Sequence, residues 1–262
     1  MGYEIFTGLV AREIDTGEAD RYLTVLSAER GKLECYAKGI RKQKSKLASQ
    51  AGLLSYGEFQ MHESKDRRIL TSAKSAEAFY GIRTDVIKCA YAMHFLEIAR
   101  DVIVEAQAFP AALQTLLNSL YALCYHELAP DFISRVYEIR ILSLAGFAPL
   151  IESCSICGER IKNGAGFAVD GDGAVCSKPS CKTAAGRILP ISRGALMAIG
   201  YVCECEAGDI FKFKINGHIS SELGSVIPLY LQHQFGKEYR KTEEAERYRA
   251  FEREMAKMRK EK

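Results

Sequence analysis

The sequence predicts an α+β protein: a small N-terminal β-barrel, then a helical domain interrupted by a metal-stapled module. Three observations carry that expectation. About five short β-patterned runs crowd into residues 1–80. Apolar residues then recur at helical spacing after Phe79, and four paired cysteines interrupt the helices between Cys154 and Cys181.

In the barrel region, residues 4–12 carry short apolar repeats and residues 22–27 are β-branched and apolar. Residues 33–37 follow the Arg30-Gly31 turn, and residues 59–62 and 69–72 complete the set. Turn signals separate the runs at Asp15-Thr16-Gly17-Glu18, Arg30-Gly31 and Ser64-Lys65-Asp66. So many short strands favour closure, because a closed barrel leaves no unpaired sheet edge. The OB-fold is the commonest such solution, although the pattern alone does not separate it from an SH3-like barrel.

Residues 86–104 place Val86, Ala90, Met93, Ile98 and Val102 at helical spacing. Residues 110–125 and 130–146 repeat the pattern, each with a proline in the first turn, and Gly146 supplies a stop. Residues 151–186 turn to Cys, Gly, Ser and Lys, with too few large apolar groups to fold without a staple. Helical periodicity returns at 192–202 and 219–235, with a β-like run at 210–215 between them. From Lys237 to Lys262 both charges are dense, which predicts a solvated helix with Glu244–Tyr248 and Glu254–Met258–Lys262 along its faces. The expected divisions are therefore 1–80 (barrel), 81–150 and 187–236 (two parts of one helical domain), 151–186 (metal module) and 237–262 (charged tail).

Composition sets the outer limits. The 262 residues carry 36 basic and 33 acidic groups, a net charge of +3. With a pI near 8.3, the whole chain lacks the strong basicity of a typical nucleic-acid binder, so any such role must rest on local charge. No apolar run approaches the about 18–20 residues of a membrane span. No basic stretch followed by an apolar one opens the chain as a leader would. These features predict a cytoplasmic protein without membrane contact, and in that reducing compartment nine cysteines point to metal rather than disulfides.

Cys154, Cys157, Cys176 and Cys181 form a C-x2-C-x18-C-x4-C pattern. Tetrahedral zinc takes four thiolates at about 2.3 Å, and two tight loops deliver them in pairs. Gly158 beyond the first pair lets the backbone curl so that amides face the sulfurs. The expectation is one structural zinc ion, with no open position for catalysis. Two rivals stand beside it: a redox couple at Cys154 and Cys157, which lacks the βαβ context such a couple needs, and a ligand from Cys203 or Cys205 in place of Cys181. Cys35, Cys89 and Cys124 lie singly in apolar surroundings and read as small core residues.

Between Arg30 and Lys46 stand Arg30, Lys32, Lys38, Arg41, Lys42, Lys44 and Lys46 against Glu34 alone. Most of them lie in a loop that cannot be a core element. Clustered cations on a barrel edge match a phosphate backbone, which is held by charge without reading bases. Tyr22, Tyr36, Tyr56 and Phe59 are candidate stacking groups, although barrel core is the commoner role for an aromatic in such a position. The same cluster is also compatible with an ordinary solvated surface. No GxxxxGK[ST], HExxH, GxSxG or GxGxxG occurs, and His62, His94, His126, His218 and His233 form no ligand-spaced group. No catalytic residue is expected, and the chain is expected not to be an enzyme.

Several strings resemble a known family. Thr7-Gly8-Leu9-Val10-Ala11-Arg12-Glu13, Gly17-Glu18-Ala19-Asp20-Arg21, Thr24-Val25-Leu26, Gly31-Lys32-Leu33, Ala37-Lys38-Gly39-Ile40-Arg41-Lys42 and Ser45-Lys46-Leu47 resemble the N-terminal domain of the RecO family of bacterial recombination mediators. Glu138-Ile139-Arg140, Leu144-Ala145-Gly146-Phe147 and Pro149-Leu150, leading into the first cysteine pair, resemble its later part. The likeness covers nearly all of residues 1–236. The wider second cysteine pair and the long charged tail depart from the family pattern. The resemblance implies an OB-fold that binds single- and double-stranded DNA, and annealing of strands coated with single-stranded-DNA-binding protein (SSB). It further implies contact with the SSB C-terminal tail, action with RecR and in some pathways RecF, loading of RecA, no nucleotide hydrolysis, and a place at the bacterial nucleoid. A rival of another class is an OB-plus-zinc-ribbon adaptor that prefers RNA.

Overall fold

The computed structural model describes residues 3–64, 67–161, 165–243, 245 and 247–251. It comprises two compact units, Met1–Tyr125 and His126–Lys262.

The first unit opens with β1 (Tyr3–Thr16), β2 (Asp20–Ser27), β3 (Gly31–Ala37), a one-turn helix α1 (Lys46–Gln50), β4 (Tyr56–Ser64) and β5 (Arg67–Glu77). The strands close in the order β1-β2-β3-β5-β4. The fourteen-residue β1 serves two partners: its first half runs antiparallel to β4, its second half to β2. A register shift between Val10 and Arg12 bends the strand where it changes partner. A parallel contact between Tyr36 of β3 and Ile69 of β5 completes the ring. This closed five-strand order is the OB-type barrel and removes the SH3-like alternative. Alternation along the strands drives Phe6, Val10, Leu23, Val25, Leu33, Cys35, Phe59, Met61 and Leu70 into one core, with Phe6 and Phe59 stacked at 5.7 Å.

Helices α2 (Tyr80–Arg83), α3 (Val86–Val102) and α4 (Pro110–Tyr125) complete this unit. Asp85 caps α3 by accepting the Lys88 amide at 3.0 Å. Backbone hydrogen bonds tie these helices to the barrel: the Lys32 amide of β3 donates to the Val104 carbonyl just after α3 at 3.0 Å, and the Phe109 amide just before α4 donates to the Ala28 carbonyl just after β2 at 3.1 Å. The expected helical block 81–150 is therefore divided. Its first two long helices bury their apolar faces against each other and the barrel, while its third belongs to the second unit.

That third helix is α5 (Pro130–Leu144). It is followed by β6 (Ala165–Ala168), β7 (Gly173–Val175), α6 (Pro179–Ala184), β8 (Ile188–Ile191), α7 (Arg193–Glu204) and α8 (Gly217–Phe235). Helix α5 stops at Gly146, whose positive φ of 86° turns the chain so that the Phe147 amide reaches the Leu142 carbonyl at 2.8 Å. The strands form an antiparallel sheet in the order β7-β6-β8, which period-2 reasoning could not see in runs of three and four residues. Phe167 of β6 meets Tyr230 of α8 edge to face at 5.3 Å.

Two expectations are corrected here. Residues 210–215 form turns and coil rather than a strand. Ile210 is buried and Phe213 packs between Phe132 and Tyr201, so the apolar residues plug a helix interface instead of alternating across a sheet. The charged tail is not merely solvated: Ala245 is fully buried, and Arg249 grips both oxygens of Asp131 at 2.9 and 3.0 Å. The pairs Glu244–Tyr248 and Glu254–Met258–Lys262 rest on residues outside those described. No helix among the described residues is long and apolar enough to cross a membrane.

Candidate metal centre and nucleic-acid interface

The Sγ atoms of Cys154, Cys157, Cys176 and Cys181 lie within 4.8 Å of one another, and those of Cys157 and Cys176 are 3.8 Å apart. Four thiolates about 2.3 Å from a tetrahedral ion lie about 3.8 Å from each other, so the spacing fits such an ion. Each ligand is placed by local structure. The Cys154 carbonyl accepts the Gly158 amide at 2.9 Å, which makes the knuckle that carries Cys157. Cys176 ends β7. Pro179 then starts α6, and its first turn swings Cys181 back toward the other three; this accounts for the four-residue spacing. Cys203 and Cys205 lie outside the quartet, at the end of α7 beside Arg140.

Burial alone would raise the Cys154 thiol, yet the amides of Cys176, Cys157 and Ile156 point at its sulfur and bring it down to about 6. Burial, together with hydrogen bonds to the other three sulfurs, pushes Cys181 the other way. The module thus offers one sulfur disposed toward the thiolate, the form in which a cation is bound. The ion pair of Lys178 with Glu159 ties the two cysteine loops together.

The seven predicted cations fall into two groups at opposite ends of β3, about 20 Å apart at 3.3 Å per residue. Arg30 pairs with Glu4 at 2.6 Å. The Lys32 ammonium donates to the Arg100 carbonyl at 2.8 Å, so it stitches α3 to the barrel. Lys38, Arg41, Lys42, Lys44 and Lys46 are exposed together in the segment after β3. That segment is held firmly. Ile40 is buried in the barrel core. The Asp20 carboxylate accepts the Tyr36 hydroxyl and, at 2.6 Å, the Gly39 amide, with Gly39 at a φ of +66°. The Tyr36 and Gly39 hydrogen bonds, with Lys38 and Lys42 nearby, hold the Asp20 carboxyl below its usual range. Among the described residues, Arg41 forms an ion pair with Asp15 at 3.5 Å.

Beside this loop the aromatics sort themselves. Phe59 is buried in the core and Tyr56 is half-buried. Tyr22 and Tyr36 stand on the outer face of β2 and β3 as a pair 5.3 Å apart. The Arg67 guanidinium lies 5.8 Å from the Tyr36 ring centre. These three border a groove of about 520 Å³. Its other guanidinium, Arg68, is bound to Glu105 at 2.8 Å and lies 3.5 Å from Glu63. Arg67 and the anchoring pair Asp20 and Ile40 escaped sequence reasoning, because only strand pairing brings them to the loop.

Both parts of the chain match known families. Residues 1–80 match the family described as Recombination protein O N terminal, and residues 83–243 match Recombination protein O C terminal. The DNA repair protein RecO of Acetivibrio thermocellus is 38% identical over 241 residues, covering 92% of this chain and 95% of the relative. That of Moorella thermoacetica is 32% identical over 235 residues, covering 89% and 86%. That of Dehalococcoides mccartyi is 30% identical over 232 residues, covering 88% and 90%. With both halves matched and relatives aligned over nearly their full lengths, the chain belongs to the RecO family of DNA repair proteins.

Proposed function

We propose that the chain is a recombination mediator: it binds single- and double-stranded DNA without reading sequence and anneals complementary strands coated with SSB. It does so in contact with the SSB C-terminal tail and together with RecR, and where the pathway uses it RecF, and it helps load RecA. Membership of the RecO family supplies the DNA repair role. The observation that carries the rest is the anchored loop, in which five exposed cations, Lys38 to Lys46, stand beside the Tyr22–Tyr36 pair on a barrel face. Cations neutralise phosphates and release counterions, while rings stack on any base, which is what a sequence-blind annealer needs. No group is assigned to nucleotide hydrolysis or other catalysis, and the work is done by binding alone.

The four-thiolate cluster is read as a structural zinc site. When bound, zinc would cross-link the knuckle at Cys154 and Cys157 to the Cys176–Cys181 turn, and with all four positions filled by sulfur it has no place for substrate. Metal analysis of the purified protein is expected to give one zinc per chain; iron in its place would overturn the zinc assignment.

The experiment for the mediator reading is annealing of two complementary oligonucleotides, both saturated with SSB from the same organism, without ATP. Acceleration by the protein is expected, because SSB blocks spontaneous pairing. Binding of bare strands without acceleration of coated ones would overturn it, and a preference for matched RNA in competition would turn the assignment to an RNA adaptor.

A further inference from the structure

Three of the most exposed aromatic rings of the first unit gather on a face that neither the cationic loop nor the Tyr22–Tyr36 pair accounts for. Tyr80 of α2 is 69% exposed, and Tyr121 and Tyr125 of α4 are 53% exposed each. Tyr121 and Tyr125, one helical turn apart, have ring centres 4.8 Å apart. They belong to one surface with Tyr80: a side chain at Gly81 would touch the Cys124 sulfur at 3.0 Å, and the Tyr125 hydroxyl donates to Glu77 at 2.8 Å. The other Glu77 oxygen accepts the amides of Ala78 and Phe79, so this carboxylate pins the chain entering α2. Exposed rings in such number on one face mark a binding surface.

The surface continues the cationic loop. Lys46 begins α1, and Gln50, one turn later, accepts the Ser75 amide at 2.9 Å. Ser49 and Gln50 then line a shallow groove of about 260 Å³ whose far wall is Glu77 and Tyr80. The Arg83 guanidinium lies 5.5 Å from the Tyr80 ring centre and is fixed by donating to the Leu53 carbonyl. The groove is polar, lined by Ser49, Ser75, Gln50, two alanines and Glu77, with Tyr80 at its rim; the Glu77 carboxylate is occupied by the Tyr125 hydroxyl and two backbone amides. A protein hot spot would be a dry apolar pocket; rings beside cations over a polar groove fit a single strand whose bases stack and whose phosphates meet the charges.

We propose that Tyr80, Tyr121 and Tyr125 form a second stacking platform, off the barrel, which carries a single-stranded nucleic acid onward from the Lys38–Lys46 loop across α1 to α2 and α4. The platform rests on the nucleic-acid reading above and extends the occupied strand beyond the length one OB barrel holds.

The test compares oligothymidylates of about 10 and about 30 nucleotides, since one OB fold covers about 4–16. The full chain is used, as wild type, as Tyr80→Ser/Tyr121→Ser, and as Tyr80→Phe/Tyr121→Phe. The serine variant is expected to lose about tenfold in affinity for the long strand and nothing for the short one, and the phenylalanine variant to bind both as wild type does. Both positions are exposed, and the phenylalanine variant separates loss of a ring from loss of fold. Equal binding of the long strand by the serine variant and the wild type would overturn the platform and leave this face to a protein partner. Failure of the wild type to bind either strand would instead overturn the nucleic-acid reading itself, and the platform with it.

Discussion

Asp20 illustrates how one side chain converts a run of cations into a shaped surface. Its carboxylate holds the Tyr36 hydroxyl and the Gly39 amide, and these contacts keep its proton affinity below the ordinary carboxylate value. A depressed value means that the tether is complete above the unfolded carboxyl's range and is lost as pH falls through the lower folded value. Tryptic cleavage after Lys38, Arg41 and Lys42 is therefore expected to stay slow down to about pH 5. The variant Asp20→Ala should be cut severalfold faster at neutral pH. Arg135 and Glu138 make the opposite use of charge. Glu138 is fully buried, its Oε2 lies 2.9 Å from the Arg135 guanidinium, and its Oε1 accepts the Ser134 hydroxyl at 2.9 Å. Removing either partner strands a buried charge, so Glu138→Leu or Arg135→Met alone should cost about 3–5 kcal/mol, with the double variant much closer to wild type in denaturant melts. The sequence shows Arg135 and Glu138 three residues apart on a helix, but not that the pair is buried; α7 and α8 decide that.

The segment after β3 and the two cations before it are one run in the sequence and two separate groups in the structure. Replacing Arg41, Lys42, Lys44 and Lys46 by glutamine should weaken single-strand binding and flatten the dependence of log affinity on log salt by about 0.7 per lost phosphate contact. Lys32→Gln should leave that slope unchanged and lower the unfolding midpoint, because Lys32 is spent on the Arg100 carbonyl. Salt titrations and melts of the two variants check both halves. The run was legible from composition, since seven cations within seventeen residues cannot enter a core. Its division was not legible, because a strand hides direction: only the register of β3 against β2 sends Lys32 toward α3 and Lys38 to the other end. The short strands β6, β7 and β8 were hidden for a related reason. With three or four residues each, their order comes from sheet pairing and the cysteine cluster rather than from period-2 alternation.

At the scale of the molecule, two units with separate cores predict two separable transitions. A strong chelator should lower the transition of the second unit, which carries all four ligands, and leave that of the barrel unit in place. Calorimetry with and without chelator checks this, and a single transition moving as a whole would contradict it. Acid should act like the chelator, since metal binding needs thiolates and protons compete for them.

The sequence by itself determined the five barrel strands and the long helices, that four cysteines converge, and that the barrel carries a cationic edge. These are local properties: side-chain period, cap residues at Asp85 and Gly146, and paired ligand spacing act over a few residues. Tertiary structure alone decided that the barrel closes through β3 and β5, and that α3 and α4 join it while α5 joins the other unit. It also decided that Cys181 completes the quartet instead of Cys203 or Cys205, and that Tyr80, Tyr121 and Tyr125 share a face. Each of those outcomes depends on groups distant in the chain competing for the same partner, and the competition is settled by which apolar faces and hydrogen-bond donors are buried together, a quantity no local pattern contains.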